Sequence, residues 1–220
     1  MAKQDLLELW SVNDSANLYG IKDWGHGYFD LSSKGEVVVR VEFEEKKVDV
    51  SLMEIIEGMN ARGMEMPVLL RIENLLDAQI SKLNETFRKA IAKNNYTGRY
   101  QGVFPIKVNQ QAQVIEEVAR FGKRYNHGLE VGSKAELMIA LAMLQSTESL
   151  LICNGYKDEE FIDLALQSVK MGYQCFIVLE TPSELEILLE RAEALGIRPL
   201  IGVRLKLSSR SGGHWQDAGD

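Results

Sequence analysis

The sequence predicts an α/β protein built on a mainly parallel sheet. From Pro67 onwards, short apolar segments alternate with longer segments of helical periodicity, at a repeat of about 25 to 30 residues. The apolar segments contain few polar residues, which is typical of strands covered on both faces. Because a closed (β/α)₈ barrel and an open doubly wound sheet both produce this pattern, the alternation alone leaves the two architectures open.

Residues 1–66 are predicted to form a separate N-terminal domain. Ala2–Leu18 has apolar residues, among them Leu6, Leu7 and Leu9, consistent with a short helix. Strand-like segments rich in β-branched residues follow, and we predict strands at Tyr28–Leu31, Val37–Phe43 and Lys47–Leu52. Ser51 is suited to cap a helix over Leu52–Ala61 that ends near Gly63.

Residues 67–220 are predicted to form the α/β domain. We predict six strands, at Val68–Ile72, Gly102–Val108, His127–Val131, Leu150–Asn154, Gln174–Leu179 and Pro199–Leu207. We predict five helices between them, at Leu75–Asn94, Ala112–Tyr125, Lys134–Leu144, Glu159–Met171 and Pro182–Ala194. Since a closed barrel needs eight strands, six strands indicate either an open sheet or an incomplete barrel in a chain that is a fragment.

Lys107 is the first candidate site residue. It lies near the carboxyl end of the second predicted strand, in the segment YQGVFPIKVNQ (Tyr100–Gln110). In an α/β barrel this position faces the mouth, where active sites are built. Burial would favour the neutral amine, which can attack a carbonyl and form a Schiff base. From the residues alone, the alternative is a lysine that extends from the strand end into solvent.

Charge and composition limit the partners. The formal net charge of −7 argues against nucleic acid or an anionic membrane surface as the main partner. Cys153 and Cys175 lie in apolar segments and are predicted to be buried, reduced thiols. Neither they nor the three histidines show metal-ligand spacing, so no metal site is predicted. With no secretory signal and no apolar span of about 20 residues, the protein is predicted to be cytoplasmic.

Several longer segments resemble the biosynthetic arginine decarboxylases. They are YGIKDWGHGYFD (Tyr19–Asp30), YQGVFPIKVNQ, GLEVGSKAEL (Gly128–Leu137) and LLICNGYKD (Leu150–Asp158), and the resemblance runs from about Ala16 to Trp215. It implies the alanine-racemase-like fold, in which a (β/α)₈ barrel binds pyridoxal phosphate (PLP). It therefore favours an incomplete barrel, preceded by an antiparallel segment that belongs to a separate β-domain.

The resemblance also implies roles for three residues. Lys107 matches the lysine that binds PLP covalently, and Glu130 matches an acidic position near the cofactor at the end of the third barrel strand. Arg204, in GVRLKL, matches an arginine near the cofactor at the end of the sixth strand. From the residues alone, the favoured interpretation of Glu130 is an exposed loop carboxylate, and that of Arg204 is a structural ion pair.

The activity implied by the resemblance is decarboxylation of L-arginine to agmatine and carbon dioxide, in polyamine biosynthesis. The resemblance further implies at least a homodimer and adds Mg²⁺ as a candidate cofactor. The chain, as an N-terminal portion, is expected to be inactive by itself. Three alternatives remain: a non-catalytic PLP-binding regulator, a decarboxylase for ornithine, lysine or diaminopimelate, and a cofactor-free Schiff-base aldolase.

Overall fold

The computed structural model describes residues 10–43 and 46–205. Within this part, the chain forms two compact units that divide between Leu76 and Asp77. The predicted α/β class is confirmed, with a small antiparallel sheet in the first unit and a larger parallel sheet, part of a barrel, in the second. The predicted positions Leu6, Leu7 and Leu9 lie outside the described residues.

The first unit contains two short helices, a three-stranded sheet and a third helix. Their bounds are α1 Val12–Leu18, α2 Ile21–Gly25, β1 Phe29–Leu31, β2 Val37–Phe43, β3 Lys46–Ser51 and α3 Leu52–Asn60. The strands pair antiparallel in the order β1-β2-β3. Ser51 caps α3 as predicted, because its side chain accepts the backbone N–H groups of Met53 and Glu54.

The second unit alternates strands and helices along the chain. A long helix, α4 Glu73–Lys93, begins in the first unit and continues into the second. The elements that follow are β4 Val103–Pro105, α5 Ala112–Gly122, β5 Gly128–Val131, α6 Lys134–Met143, β6 Leu150–Cys153, α7 Glu159–Lys170, β7 Gln174–Leu179, α8 Ser183–Leu195 and β8 Leu200–Val203. Each of the later helices thus connects two parallel strands, as the sequence repeat predicts.

The parallel strands lie side by side in chain order, β4-β5-β6-β7-β8. Alternate residues of β6 and β7, such as Leu151 and Ile177, are fully buried together with the helix residues Leu137, Ile162 and Leu188. The intervening residues, such as Ile152, are only half-buried and point to the opposite face of the sheet. Because all five strands are parallel, their carboxyl ends meet along one edge of the sheet.

One predicted strand is wrong. Val68–Ile72 forms neither a helix nor a strand, and Val68, Leu69 and Leu70 are exposed. The described part of the barrel therefore has five parallel strands rather than six. An apolar run is necessary for a buried strand, but a strand also needs a neighbouring backbone to pair with, and sequence periodicity carries no information about that neighbour.

The strand that precedes Lys107 is shorter than predicted. β4 ends at Pro105, and Ile106–Val108 form a single turn of 3₁₀-helix. Pro105 has no backbone N–H to donate to a sheet, which suits it to the end of a strand. Lys107 consequently lies in the turn after β4 and not in the strand itself.

Candidate active site at the carboxyl ends of the strands

Lys107 projects from the turn after β4 and is accessible. Its side chain is 64% exposed, so the prediction that burial desolvates this amine is wrong for the described structure. The neighbouring Ile106 is fully buried and anchors the turn in the core. The turn therefore holds the backbone of Lys107 firmly, while the amine remains open to a ligand.

Glu130 lies beside Lys107 on the inner face of the sheet. In the sheet register Glu130 stands opposite Pro105 on one side and Ile152 on the other. Its side chain is only 7% exposed, and its Oε1 lies 3.9 Å from Lys107 Nζ. Its second oxygen, Oε2, is buried and has no hydrogen-bond partner among the described residues. The alternative of an exposed loop carboxylate is thereby excluded for Glu130.

Asn154 follows β6 directly and orients the Glu130 carboxylate. Its Nδ2 donates a 2.8 Å hydrogen bond to Glu130 Oε1. Its backbone N–H donates to the carbonyl of Val131, so the main chain at Asn154 is fixed as well. Sequence reasoning did not select Asn154, although the signal that selected Lys107 applies equally here: a polar residue comes directly after a buried strand.

Arg204 and Glu180 form a second pair at the same edge of the sheet. Glu180 follows β7, and Arg204 follows β8 with its Nη1 at 3.2 Å from Glu180 Oε2. Among the described residues, Arg204 has no contact with Lys107 or Glu130. The structure thus brings Lys107 and Glu130 together but places Arg204 with Glu180, a residue that sequence reasoning did not select.

The loops that carry these two pairs are in direct contact. The backbone N–H of Gly155, next to Asn154, donates a 2.9 Å hydrogen bond to Glu180 Oε1. Gly155 has a φ of +74°, and a Cβ at this position would lie 2.6 Å from the carbonyl oxygen of Gly132. Only glycine accommodates both the left-handed backbone and this close approach.

Five residues at the carboxyl edge of the sheet are called the mouth residues: Lys107, Glu130, Asn154, Glu180 and Arg204.

A buried glutamate in α6, Glu136, connects the loops that carry Lys107 and Glu130. One oxygen of Glu136 accepts the backbone N–H of Gly132 at 2.7 Å, and the other accepts Gln110 Nε2 at 3.1 Å. Gln110 lies in the loop that follows the Lys107 turn. Glu136 therefore joins the loop after β4 to the loop after β5, which fixes the relative position of Lys107 and Glu130.

The two cysteines lie in the neighbouring strands β6 and β7. Cys153 precedes Asn154 at the end of β6, and its Sγ is 3.5 Å from Cys175 Sγ on β7. Both thiols are free and buried, as predicted. The hydrogen bond with Cys175, together with burial, raises the pKa of the Cys153 thiol. Cys153 therefore remains protonated at neutral pH and is a packing residue rather than a nucleophile.

Neither a metal-binding cluster nor a membrane-spanning helix is found among the described residues. No group of three or more histidine, cysteine, aspartate or glutamate side chains in residues 10–43 and 46–205 is arranged to hold a metal ion. In the same part of the chain, no helix combines the length and the apolar character needed to cross a membrane.

Comparisons with known proteins agree in family. Residues 77–219 match the family described as pyridoxal-dependent decarboxylase, pyridoxal binding domain. The biosynthetic arginine decarboxylase of Parasynechococcus marenigrum is 46% identical over 208 residues, which cover 94% of this chain and 32% of that protein. The enzyme of the same name from Gloeobacter violaceus is 46% identical over 209 residues, 95% of this chain and 32% of that protein. The chain thus spans about a third of the length of these relatives.

Solved structures give the same result for the fold. The biosynthetic arginine decarboxylase of Campylobacter jejuni superimposes with a TM-score of 0.78 at 30% identity, over 88% of this chain and 32% of that one. The diaminopimelate decarboxylase of M. jannaschi superimposes with a TM-score of 0.61 over 84% of this chain and 37% of that one. At 18% identity, this second likeness concerns the fold alone.

Proposed function

The chain belongs to the pyridoxal-dependent decarboxylases, through their pyridoxal-binding domain, and we propose that Lys107 is the PLP-binding lysine of an enzyme that converts L-arginine to agmatine and carbon dioxide. One observation carries this proposal: an accessible primary amine stands 3.9 Å from a buried carboxylate at the carboxyl edge of a parallel sheet. The substrate is inferred from the arginine decarboxylases to which the chain is similar.

The residues present are compatible with PLP. The exposed Nζ of Lys107 is open to an aldehyde, and the buried, unpartnered Oε2 of Glu130 is the kind of polar atom that a bound group or an ordered water completes. PLP, when bound, supplies the electron sink that takes up the electron pair left behind when a substrate carboxylate departs as carbon dioxide. Lys107 and Glu130 are the residues that we propose to contact it.

Glu130 has a role in preparing the amine. An ammonium group must lose a proton before its nitrogen can attack an aldehyde carbon. Asn154 donates to Oε1 of Glu130, which leaves Oε2 without a competing donor among the described residues. We assign the Glu130 carboxylate, whose Oε1 lies 3.9 Å from Lys107 Nζ, as the acceptor of the Lys107 proton. PLP would be held at Lys107 Nζ and would supply the aldehyde that this amine captures, while Glu130 would hold the proton that the amine gives up.

Arg204 is proposed to bind an anionic group of the cofactor or the substrate. Its side chain is 65% exposed, and among the described residues Glu180 is its hydrogen-bond partner, through Nη1. An arginine fixed in this way can direct its remaining N–H donors at a phosphate or a carboxylate. We propose that the ion pair with Glu180 orients the Arg204 guanidinium towards this anionic group.

The wider setting is part of the same proposal. We place the enzyme in the cytoplasm and in polyamine biosynthesis, acting at least as a homodimer on a small-molecule substrate. Mg²⁺ belongs to the proposal as a second candidate cofactor, and we assign it no site among the described residues.

Chemical capture of PLP tests the role of Lys107. The protein is incubated with PLP, reduced with borohydride and digested, and the modified lysines are identified by mass spectrometry. We expect the main adduct on Lys107, together with a long-wavelength absorbance band before reduction. Lys107→Ala should abolish both signals, whereas Lys123→Ala, which removes an exposed lysine from another 3₁₀ turn, should leave both unchanged. Equal labelling of Lys107 and the other exposed lysines would contradict the proposal.

A second assay tests the reaction. A polypeptide with the full length of the relatives, containing these 220 residues, is given arginine, ornithine, lysine and diaminopimelate in turn. We expect agmatine from arginine, with turnover of the other amino acids at least about tenfold lower. A site that hydrogen-bonds the guanidinium group of arginine rejects amino acids that lack this group. Binding of PLP without release of carbon dioxide would favour a non-catalytic regulator.

A further inference from the structure

Lys157 is a completely buried lysine that the proposed mechanism does not use. Its side chain has 0% exposure. The Nζ donates hydrogen bonds to the carbonyl oxygens of Gly155 and Val178 and lies 3.4 Å from Glu184 Oε2. A buried ammonium group is tolerated only when its donors are satisfied and its charge is balanced. Lys157 meets both conditions, so its environment is built specifically around it.

Glu184, the partner of Lys157, lies in the first turn of α8 and is also buried. Its Oε1 accepts the backbone N–H of Lys157 at 3.0 Å, and its Oε2 accepts the backbone N–H of Glu180 at 2.9 Å. A single carboxylate therefore holds the loop after β6 and the turn after β7. Lys157 adds a second connection, because its Nζ bonds the carbonyl of Gly155 in its own loop and the carbonyl of Val178 near the end of β7.

These two segments carry two of the mouth residues. Asn154 begins the loop after β6 and orients Glu130, and Glu180 begins the turn after β7 and holds Arg204. The hydrogen bond from the Gly155 N–H to the Glu180 side chain links the same two segments directly. The Lys157–Glu184 pair is thus connected, through Gly155, to Asn154, which orients the Glu130 carboxylate beside Lys107.

We propose that Lys157 and Glu184 are positioning residues, which act on the candidate active site by fixing Asn154 and Glu180 in place. This inference rests on the proposed function, because it assigns Lys107 as the amine that captures PLP. It predicts that the pair controls how fast Lys107 reacts, without contacting Lys107, the cofactor or the substrate.

The test compares capture of PLP at Lys107 in four proteins: the unaltered chain, Lys157→Met, Glu184→Gln and Asn154→Ala. Capture is followed by borohydride reduction and mass spectrometry, at a temperature well below the unfolding midpoint of every protein. The measured quantity is the rate of labelling at Lys107 divided by the rate at exposed lysines in the same sample. A variant that is merely less stable does not change this ratio, since the folded molecules still react normally.

We expect the ratio to fall about tenfold or more in each variant, because misplacement of a reacting group by about 1 Å costs up to about 100-fold in rate. The labelling ratio of the double variant Glu184→Gln with Asn154→Ala should be no lower than that of Asn154→Ala alone. The reason is that the Lys157–Glu184 pair is proposed to affect Lys107 through Asn154. If Lys157→Met does not fold, the other two variants decide the question.

A matched control comes from the same pair of helices. Arg191 on α8 forms a two-point ion pair with Asp163 on α7, both distances being 2.7 Å, and it touches none of the mouth residues. We expect Arg191→Met to lower the unfolding midpoint while leaving the labelling ratio within about twofold, because the loops of the mouth keep their contacts.

The outcomes separate the two proposals. If the unaltered chain shows no preference for Lys107, the proposed function fails and this inference fails with it. If the unaltered chain prefers Lys107 and Glu184→Gln keeps the ratio of the unaltered chain, the inference alone is overturned.

Discussion

His127 is a buried imidazole at the amino end of β5, the opposite end of the strand from the mouth residues. Its Nδ1 has no hydrogen-bond partner among the described residues, and burial lowers its pKa below the ordinary value of 6.5. Gly102 and Gly122 pack against this side chain. A Cβ on Gly102 would lie 2.5 Å from the His127 ring, and one on Gly122 would lie 2.7 Å from His127 Cβ, so larger residues at either position would clash with it. The native site thus favours the neutral ring.

This histidine predicts an acid-sensitive stability. In the unfolded chain the imidazole takes up a proton as the pH falls through about 6.5, whereas the folded site resists protonation until a lower pH. The free energy of unfolding should therefore be fully retained above pH 6.5 and should decrease as the pH falls below it. Urea unfolding at pH 7.5 and 6.0 measures this change.

His127→Gln should reduce that pH dependence, because glutamine does not titrate. His26→Asn is the matched control, since His26 is exposed, has a φ of +47° that asparagine tolerates, and should leave the dependence unchanged. An equal pH dependence in His127→Gln and in the unaltered protein would rule out burial of His127 as the cause.

At the residue scale, the sequence predicts where site residues lie better than what surrounds them. The rule of a polar residue after an apolar strand locates Lys107 and applies equally to Asn154 and Glu180. The exposure of Lys107 and the pairing of Arg204 with Glu180 depend on neighbours far away in the chain: Glu180 and Arg204 are 24 positions apart. No local pattern encodes such a contact.

Helix caps give the element scale its clearest link between sequence and stability. Ser133 precedes α6, and its side chain accepts the backbone N–H of Glu136 at 3.3 Å. We expect Ser133→Ala to lower the free energy of unfolding by about 1 kcal/mol, because the first turn of the helix loses a hydrogen-bond acceptor. Denaturant unfolding of the purified variant measures the loss.

Ser183→Ala is the control for this prediction. Ser183 lies in the first turn of α8, but within the described part of the chain its hydroxyl bonds only to that of Thr181. Its replacement should change the free energy of unfolding by less than about 0.5 kcal/mol. Losses of equal size in the two variants would mean that the cap of α6 contributes nothing specific.

Elements are predicted well where the signal is local. The helices from Leu52 onwards and the strand Gln174–Leu179 follow from periodicity and caps, and the structure reproduces them within a few residues. Val68–Ile72 has the composition of a strand but no pairing partner, and β4 ends early at Pro105. Strand pairing is a long-range property, so composition alone overestimates the number of strands.

At the scale of the whole molecule, the parallel sheet has an open edge at β8 within the described part of the chain. Ile201 and Val203 of this strand are exposed, and no described strand pairs with its outer side. An apolar strand edge of this kind favours edge-to-edge association. The repeat of strands and helices predicts the sheet itself, but which edges remain open is visible only in the structure.

Val203→Lys should therefore reduce self-association of this 220-residue chain at least severalfold, because lysine on an edge strand opposes pairing. Sedimentation velocity over a range of protein concentrations measures the effect. Leu189→Lys introduces the same charge at an exposed position on α8 and should have little influence. Association that is insensitive to Val203→Lys would exclude the β8 edge as the contact.

The buried glutamates Glu136 and Glu184 have a consequence for building chimeras from related barrels. Glu136 draws its partners from residues 110–132, and Glu184 draws its partners from residues 157–180. A crossover between residues 137 and 156 leaves each carboxylate with partners from its own parent. A crossover at 111–135 or 158–183 splits one of the two sets between parents.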